Sequence, residues 1–525
     1  MGIDGSGHNS QSVPVPSISA VQAASASYDL IIVGSGVLGT VLATSLAKSG
    51  RRVLVVERDL APPHSRIVGE LLQPGGCISL DKLGMLDALE DIDAVPCNGY
   101  TVIHQVLGDA LIPYPINTKD KIVNAPDSIK DHWNSTSLQQ GRSFHHGAFV
   151  GSLRRKMIGV EGLDVFEATV NDLIECETAG GKIIGIRCTC KASKEKIDVL
   201  APLTIIANGY ASKFRKHVNP SIPEAITRSH FVGIELEDCA LPAPGHGHVL
   251  LPSSASMSYS PGSASSFDAA STTFASVGPI LLYAISPMTT RMLIDISTSK
   301  IPNKSSLLSN IPHLLPASVR PSFIAAVSET NSQRVKSMPN SFLPPAMQGS
   351  KRSKEGVLLA GDAMNMRHPL TGGGMSVALN DAVILTELLG ARGQRRESKG
   401  RAPAFDSNGG YLSPPDDLTL STSSSSSVSS EADDDAMSGR GHPLYGRGPI
   451  CFLEDWWDVR SRLQEWHWRR KGVATCVNVL AMALYSLFGG EEDIHRGVDL
   501  METRPAYVST GYVANPHPDP FDDFE

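Results

Sequence analysis

The stretch from Tyr28 to Glu57 constrains the fold of this chain more tightly than any other. A short apolar run, Tyr28 to Val33, leads directly into Gly34-Ser35-Gly36-Val37-Leu38-Gly39. A helix-like run to Lys48 follows, then a second apolar run, Val53 to Val56, that ends on Glu57. Strand, glycine-rich turn, helix and strand in that order make the dinucleotide-binding βαβ unit. Gly34, Gly36 and Gly39 allow the tight turn and the approach of backbone amides to a pyrophosphate, and Glu57 is placed to accept hydrogen bonds from a ribose. A bare GxGxxG arises by chance; one framed by strand, helix and terminal acid does not. A parallel sheet covered by helices is the architecture to which such a unit belongs.

A second glycine-rich stretch runs from Gly361 to Met375 and reads G-D-A-M-N-M-R-H-P-L-T-G-G-G-M. Val357 to Ala360 before it and the helical spacing of Ser376 to Leu385 after it predict a loop joining a buried strand to a helix N-terminus. There the amides of Gly372, Gly373 and Gly374, helped by the helix dipole, suit a planar or anionic ligand. Asp362 suits the hydroxyls of a sugar or ribityl chain. A lone Gly-Asp pair reads better as a capped turn; beside the Tyr28–Glu57 unit, the two loops point to one nucleotide cofactor. Arg58 and Arg66 follow the second strand and fit either the cofactor phosphates or a solvated surface.

At 525 residues the chain can build two sizeable cores and carry extra segments. Its net charge of -8 argues against a nucleic-acid partner, which requires a basic surface, and none is visible beyond short clusters. The eight cysteines are scattered, and the one close pair, Cys188 and Cys190, has no second pair to complete a metal site. They read as reduced thiols in a cytosol-facing protein. His145 and His146 point to opposite faces of an extended segment and have no ligand at metal spacing, so no metal is expected. Residues 1–27 are rich in Ser, Ala and Gly without a basic or apolar region. They are predicted to be neither signal nor anchor, but disordered.

Downstream, Gly141 to His146 leads to a helix carrying Leu153, Arg154 and Arg155. Val165 to Val170, Leu173-Ile174, Ile183 to Cys190 and Leu203 to Ala207 read as strands, an antiparallel meander added to the parallel sheet and closing on Asn208-Gly209. Phe231 to Leu236, Ile280 to Ile285 and Arg291 to Ile296 predict a second sheet that roofs the cofactor, interrupted by a Ser-rich loop from Ser253 to Thr273. From Arg392 to Arg447 the composition becomes that of a linker. Four of the five tryptophans then fall between Trp456 and Trp468, beside the nearly uncharged helical run Val473 to Phe488. That run is shorter than the roughly 20 residues of a span. It fits a helix lying on a membrane surface and, equally, a buried helix closing the substrate domain. Glu491 to Glu525 is polar and acidic, and predicted to be disordered.

Over most of Tyr28 to Gly489, apart from the Ser-rich inserts, the chain resembles the squalene epoxidases. The residues that carry the resemblance are Gly34 to Gly39, Arg66 to Gly76 (R-I-V-G-E-L-L-Q-P-G-G), Asn98-Gly99-Tyr100, Ser337 to Pro345 (S-M-P-N-S-F-L-P-P) and Gly361 to Met375. The GxGxxG and the Gly361-Asp362 pair are shared by many flavin monooxygenases; L-Q-P-G-G together with N-M-R-H-P-L-T-G-G-G-M is particular to this family. The resemblance implies a mixed α/β fold like that of para-hydroxybenzoate hydroxylase. A Rossmann-like FAD-binding domain (28–95, 141–215 and 335–391) would carry an inserted β-sheet substrate domain (96–140 and 216–334). A linker (392–447), membrane-associated C-terminal helices (448–490) and a polar tail (491–525) would follow.

The same resemblance implies FAD contacts at Gly34, Gly36, Val37, Leu38, Gly39, Glu57, Arg58, Arg66, Arg154, Val170, Gly361, Asp362, Gly373, Gly374 and Met375. It implies epoxidation of squalene to (S)-2,3-oxidosqualene by O2 through a flavin C4a-hydroperoxide, in sterol (ergosterol) biosynthesis. Electrons would come from NADPH through a separate microsomal cytochrome reductase, at the cytosolic face of the endoplasmic reticulum membrane, with weak attachment or lipid-droplet association left open. Gln73 and Tyr100 would form a hydrogen-bonded pair at the flavin, neither acting as a nucleophile. An apolar wall of Phe342, Leu343, Pro344, Pro345, Pro369 and Leu370 would bind a hydrocarbon by area alone and keep water out. Family members usually carry Asp-Gly where this chain has Asn208-Gly209; Asn keeps the shape and loses the charge. An aromatic hydroxylase of the same fold, or a non-catalytic FAD- or lipid-binding relative, are the competing readings.

Overall fold

The computed structural model describes residues 14–62, 66–67, 69–104, 107–115, 139–252, 277–297, 299–328, 330–331, 335–391, 453 and 455–488. The expected 253–273 loop, 392–447 linker and 491–525 tail lie outside the described residues. The strand Leu30–Val33 is apolar and buried throughout, as a central parallel strand covered on both faces must be. It pairs in parallel with Val53–Glu57 on one side and Leu203–Ile206 on the other. Leu163–Cys176 and Val357–Leu359 extend the parallel set outward. Lys182–Cys190 and Lys196–Leu200 add antiparallel at one edge and complete a seven-stranded sheet. The predicted meander is therefore present, but Leu163–Cys176 is one strand with register shifts at Val170/Asp172 and Ile174/Glu175, not two. Helices Val37–Lys48 and Gly374–Leu389 pack against each other over this sheet.

The second sheet also has seven strands and contains Ile226–Glu237, Gly247–Leu251, Val277–Ala284 and Thr289–Ile296, continued by the hairpin Gly99–His104 and Gly108–Pro113. Lys336–Phe342, which the sequence places in the cofactor domain, is an edge strand of this sheet, hydrogen-bonded to Ile226–Glu237. Alternation divides the faces. Val232, Ile234, Met292 and Ile294 pack with Leu307 and Phe323 of the helices Lys304–Asn310 and Arg320–Val327. Phe231, Leu281, Tyr283 and Leu293 form a cluster on the opposite face with Ile67 and Leu370, residues of the cofactor-side loops.

One buried ion pair ties the loops of the first domain to this sheet. Arg291 gives Glu70 a bidentate pair of hydrogen bonds, Nε to Oε2 at 2.7 Å and an amino nitrogen to Oε1 at 2.9 Å, with both side chains at most 2% exposed. Arg291 also reaches Glu235 at 2.8 Å. Burial pulls the Arg291 pKa down, but the hydrogen bonds and charge of Glu70 outweigh it and leave it raised, so the guanidinium stays charged.

Residues 14–27 depart from the predicted disorder. Ser19 and Gln22 form a capping box for the helix Ala20–Ser25, Ala20 and Ala23 are buried in the first core, and Ile18 N–H donates to Val165 O at 2.9 Å. Small side chains read as low complexity in composition, yet they let a short helix sit close on a sheet.

The C-terminal segment is a single helix, Trp456–Phe488, packed along Gly374–Leu389. The buried positions Val459, Leu463, Trp466, Arg470, Ala474, Asn478 and Ala481 recur at three- and four-residue spacing, and Arg462 and Glu465 beside them widen the inward stripe. Asp381 at the centre of the neighbouring helix accepts Arg470 at 2.8 and 3.0 Å and the Trp466 indole N–H at 3.2 Å. All three residues are at most 3% exposed. The outer stripe shows Trp457, Trp468, Val473 and Leu480 to solvent. Among the described residues no helix is long and apolar enough to cross a membrane.

Removing one partner of a buried ion pair leaves the other charge stranded, at a cost of about 3–5 kcal/mol. Asp381→Ala should therefore lower Tm strongly and expose the C-terminal helix to limited proteolysis before the rest of the chain; an unchanged cleavage pattern would remove Asp381 from the docking account.

Candidate functional site

A cavity of about 1190 Å3 opens between the two sheets. At one end stands the Gly34–Gly39 turn. Its three glycines answer to three different demands. Gly34 has a φ of +104° and would bring a Cβ within 2.8 Å of Ala207 O. A Cβ on Gly39 would fall 1.9 Å from Gly34 O, so this residue closes the turn from behind and does not line the cavity. Gly36 has nothing within 4 Å of its Cβ position and lines the open space, as a residue whose backbone must meet a ligand does.

Glu57 fastens this turn. It accepts Ser35 N–H at 2.7 Å, while Arg154 stands 3.6 Å from the same carboxylate and donates to Ser35 O at 3.0 Å. Arg58, Arg66, Val37, Leu38 and Val170 line the cavity beside them. A negatively charged diphosphate entering here would meet the helix N-terminus at Val37 and the guanidinium groups of Arg58, Arg66 and Arg154. His146, one of the two histidines set aside as metal ligands, also lines the space; its Nδ1 lies 3.0 Å from Gly69 O, and burial lowers its pKa to about 4.

The middle of the cavity is formed by Gly361 and Asp362. Gly361 sits at φ +60°, and a Cβ there would come within 2.9 Å of Leu38, so the two glycine-rich loops are in direct contact. The Asp362 side chain faces the cavity. Enclosure by its walls raises the Asp362 pKa, against the pull of Arg367, Arg66 and Arg215. Arg215, which carries no motif, is the hub of this region. It donates to Ala363 O at 2.9 Å, Asp362 O at 3.0 Å and Gly209 O at 3.3 Å, so one guanidinium ties the Asn208-Gly209 turn to the Gly361-Asp362 turn. Asn208 itself lines the cavity next to Gly34.

At the far end the Gln73 side chain donates from Nε2 to Tyr100 Oη and to Thr371 O, the latter at 2.9 Å. Tyr100 lies 3.4 Å from the same carbonyl. Gly372, at φ +60°, leaves room for this pair: a Cβ there would stand 3.1 Å from Gln73 Nε2. Burial raises the Tyr100 pKa, so its hydroxyl keeps its proton. Around the pair, Leu281, Tyr283, Leu293, Met338, Pro369 and Leu370 complete a mostly apolar wall.

Of the predicted residues, Gly34, Gly36, Val37, Leu38, Glu57, Arg58, Arg66, Tyr100, Arg154, Val170, Gly361, Asp362, Pro369, Leu370, Gly374 and Met375 line this one cavity. Gln73 stands just behind Tyr100. Gly373 turns away: a Cβ there would meet Val477 of the C-terminal helix at 2.5 Å, so its lack of a side chain serves helix packing. The Phe342, Leu343, Pro344 and Pro345 wall is not in the cavity lining. Leu343 exchanges backbone hydrogen bonds with Met366 and is fully buried in the first core, because the strand ends at Phe342 and the chain crosses back to the first domain there. His368, adjoining Pro369, is also buried behind the wall. Apolar composition does not separate a residue that lines a cavity from one that fills a core. The true wall comes from alternate residues of strands that read only as sheet interior.

The family model for squalene epoxidase matches residues 200–266, 262–399 and 448–516. The squalene epoxidase erg1 of Aspergillus fumigatus is 35% identical over 518 residues, 97% of this chain and 85% of that protein. Squalene epoxidase ERG1 of Saccharomyces cerevisiae is 32% identical over 89% of this chain and 78% of its own length. Squalene epoxidase 3 of Arabidopsis thaliana is 39% identical over 69% of this chain. Among solved structures, Klebsiella pneumoniae HpxO complexed with FAD superposes with a TM-score of 0.53 at 14% identity, covering 92% of this chain and 97% of that one. Pseudomonas aeruginosa PqsL gives 0.51 at 18% identity over 69% of this chain and 85% of its own. The fold is that of the FAD-dependent monooxygenases.

Two measurements follow from the site's geometry. Gly36→Ala should fold with an unchanged apoprotein Tm and lose flavin affinity, read by FAD fluorescence titration, whereas Gly39→Ala should fail to fold. Equal loss of folding in both would refute the division of roles. Separately, burial holds His248 at about 4 and His368 at about 3, below the ordinary 6.5. Unfolding returns both to the ordinary value, so the unfolded chain binds more protons below pH 6.5. Stability should be complete above that pH and decline as pH falls toward 4, and His248→Asn should make the decline of Tm with pH shallower.

Proposed function

The chain belongs to the squalene epoxidase family, and from that premise we propose how its cavity performs the reaction. The protein is an FAD-dependent monooxygenase that epoxidises squalene with O2. Bound FAD, once reduced, supplies the activation of O2 for oxygen transfer. The continuity of the cavity is the single observation that supports the reading below. A dinucleotide cradle at one end and an apolar wall around Tyr100 at the other line one cavity, with Gln73 just behind that tyrosine.

The residues of this chain divide the work. Gly36, Arg58, Arg66 and Arg154 would hold the pyrophosphate of FAD, Glu57 would hold the turn and the ribose, and Asp362 would take the ribityl hydroxyls. The N-terminus of the Gly374–Leu389 helix opens on the cavity and would favour the negative charge that a bound, reduced flavin carries. Gln73 and Tyr100 act as neutral hydrogen-bonding groups. Burial keeps the phenol protonated, which excludes Tyr100 as a base at neutral pH and leaves it to orient the flavin and the terminal alkene. Leu281, Leu293, Met338 and Leu370 bind a hydrocarbon that has no polar handle, since apolar area is the one recognition it offers. The same surfaces exclude water from the reacting atoms.

The electron source is NADPH acting through a separate cytochrome reductase. Attachment is monotopic, at the cytosolic face of the endoplasmic reticulum. The outer stripe of the Trp456–Phe488 helix supports this, because Arg460 stacks on Trp457 and Lys471 on Trp468, an arrangement of ring and cation suited to the lipid headgroup level.

Purified protein supplied with FAD, a cytochrome reductase, NADPH and O2 should convert squalene to 2,3-oxidosqualene. Flavin reduction stimulated only by phenols would identify an aromatic hydroxylase, and bound FAD with neither activity a binding relative. Tyr100→Phe should retain FAD and lower kcat about tenfold, the equivalent of one lost hydrogen bond.

A further inference from the structure

Four polar side chains are buried together where the second sheet meets the Gly361–Met375 stretch. Ser229, Asp295, Asn340 and His368 are each at most 3% exposed. Two irregularities of the sheet converge on them. A register shift between Thr227 and Ser229 leaves Ser229 opposite Asn340. Another, between Val277 and Ile280, lies across from Asp295. Gly278 within it makes space for the carboxylate: a Cβ there would stand 2.7 Å from Asp295 Oδ2. Bulges give up ladder hydrogen bonds to re-aim side chains, and two of them around one carboxylate mark a constructed cluster.

The hydrogen bonds run in one direction. Leu370 N–H donates to His368 Nδ1 at 3.2 Å, which places the proton of the neutral imidazole on Nε2. Nε2 then donates to Ser229 Oγ at 3.5 Å. Asn340 Nδ2 donates to Ser229 Oγ and to Asp295 Oδ1, each at 3.0 Å. With both acceptor positions of its hydroxyl filled, Ser229 gives its own proton to Asp295. Burial, aided by Arg228, holds His368 neutral. Asp295 is bound by Ser229 and Asn340, both neutral, so it is a costly group to bury and contributes little to stability.

The end of the chain of bonds lies at the proposed chemistry. His368 caps the Pro369–Thr371 turn through Leu370 N–H, and the Thr371 carbonyl of that turn receives Gln73 and Tyr100. We propose that Asp295 is a positioning residue for oxygen transfer: through Ser229 it fixes the Nε2–H tautomer of His368, and the turn so capped presents the Thr371 carbonyl that orients Gln73 and Tyr100. This rests on the role given above to Gln73 and Tyr100.

Asp295→Asn preserves size but turns the terminal acceptor partly into a donor, and Ser229→Ala removes the link. In the FAD-loaded enzyme with squalene, each should lower kcat on the order of tenfold with KM unchanged, as a small misplacement of reacting groups does. The double variant should be no worse than either, because both break one chain. Ser229→Thr should restore most of the turnover lost in Ser229→Ala, and this pair carries the comparison should Asp295→Asn fail to fold. Nitrogen-15 NMR of histidine-labelled protein, with His368 assigned by its absence from His368→Gln, should show an acceptor Nδ1 and a protonated Nε2 that are disturbed in Asp295→Asn. An unchanged kcat, additive losses in the double variant, or an undisturbed His368 signal would each overturn the proposal. Should wild-type protein form no epoxide, the functional reading fails, and the NMR comparison decides the Asp295–His368 coupling by itself.

Discussion

The Glu70–Arg291 ion pair is the interaction on which the geometry of the site depends. Glu70 lies immediately before Leu71-Leu72 and Gln73, and Arg291 projects from the cavity face of the second sheet. Two apolar residues of similar volume would bury as much surface and cost less desolvation. They would not fix an orientation. A bidentate guanidinium–carboxylate contact does, since both N–H···O directions must be satisfied together. The pair thereby sets where Gln73 stands relative to Tyr100, which hangs from the same sheet by way of the Gly99–His104 strand paired with Gly247–Leu251. Tyr283 joins the pair through its hydroxyl, 3.4 Å from Glu70 Oε2, and links it to the apolar wall.

A second tier of interactions holds the Gly361–Met375 stretch from behind. Its glycines serve different neighbours: Gly361 meets Leu38, Gly372 makes room for Gln73 and Tyr100, and Gly373 makes room for Val477. Arg367 donates to Asn478 at 2.7 Å, and Asp381 anchors Trp466 and Arg470. The C-terminal helix is thus both the back wall of this loop and the bearer of the outward tryptophans. Leu484 near its end packs with the cluster that lines the substrate end of the cavity. One face of this helix supports the apolar wall and the other presents tryptophans to solvent.

Much of the fold was readable because its signals are local. The Tyr28–Glu57 unit and the Val357–Leu385 loop with its helix each declare themselves within about 30 residues, through periodicity and glycine placement. Tyr100 and Gln73 came from family resemblance, not from pattern. What stayed hidden is long-range. Arg215 has no motif, and its value lies in carbonyls of two turns separated by about 150 residues of sequence. The Asp381–Arg470 pair is likewise invisible until two helices are packed. The Phe342–Pro345 wall failed for a register reason, since the strand ends at Phe342 and Leu343 enters the opposite core. Ala20 and Ala23 were lost in a stretch whose composition resembles disorder.

With the cofactor cradle and the apolar wall in one continuous cavity, one atom of O2 should pass to the hydrocarbon while water is kept out. Turnover of squalene under oxygen-18 gas in ordinary water tests it directly, with the product read by mass spectrometry. The expected product is 2,3-oxidosqualene carrying a single oxygen-18 atom. Unlabelled epoxide, or hydrogen peroxide as the sole fate of the consumed oxygen while squalene is bound, would contradict it.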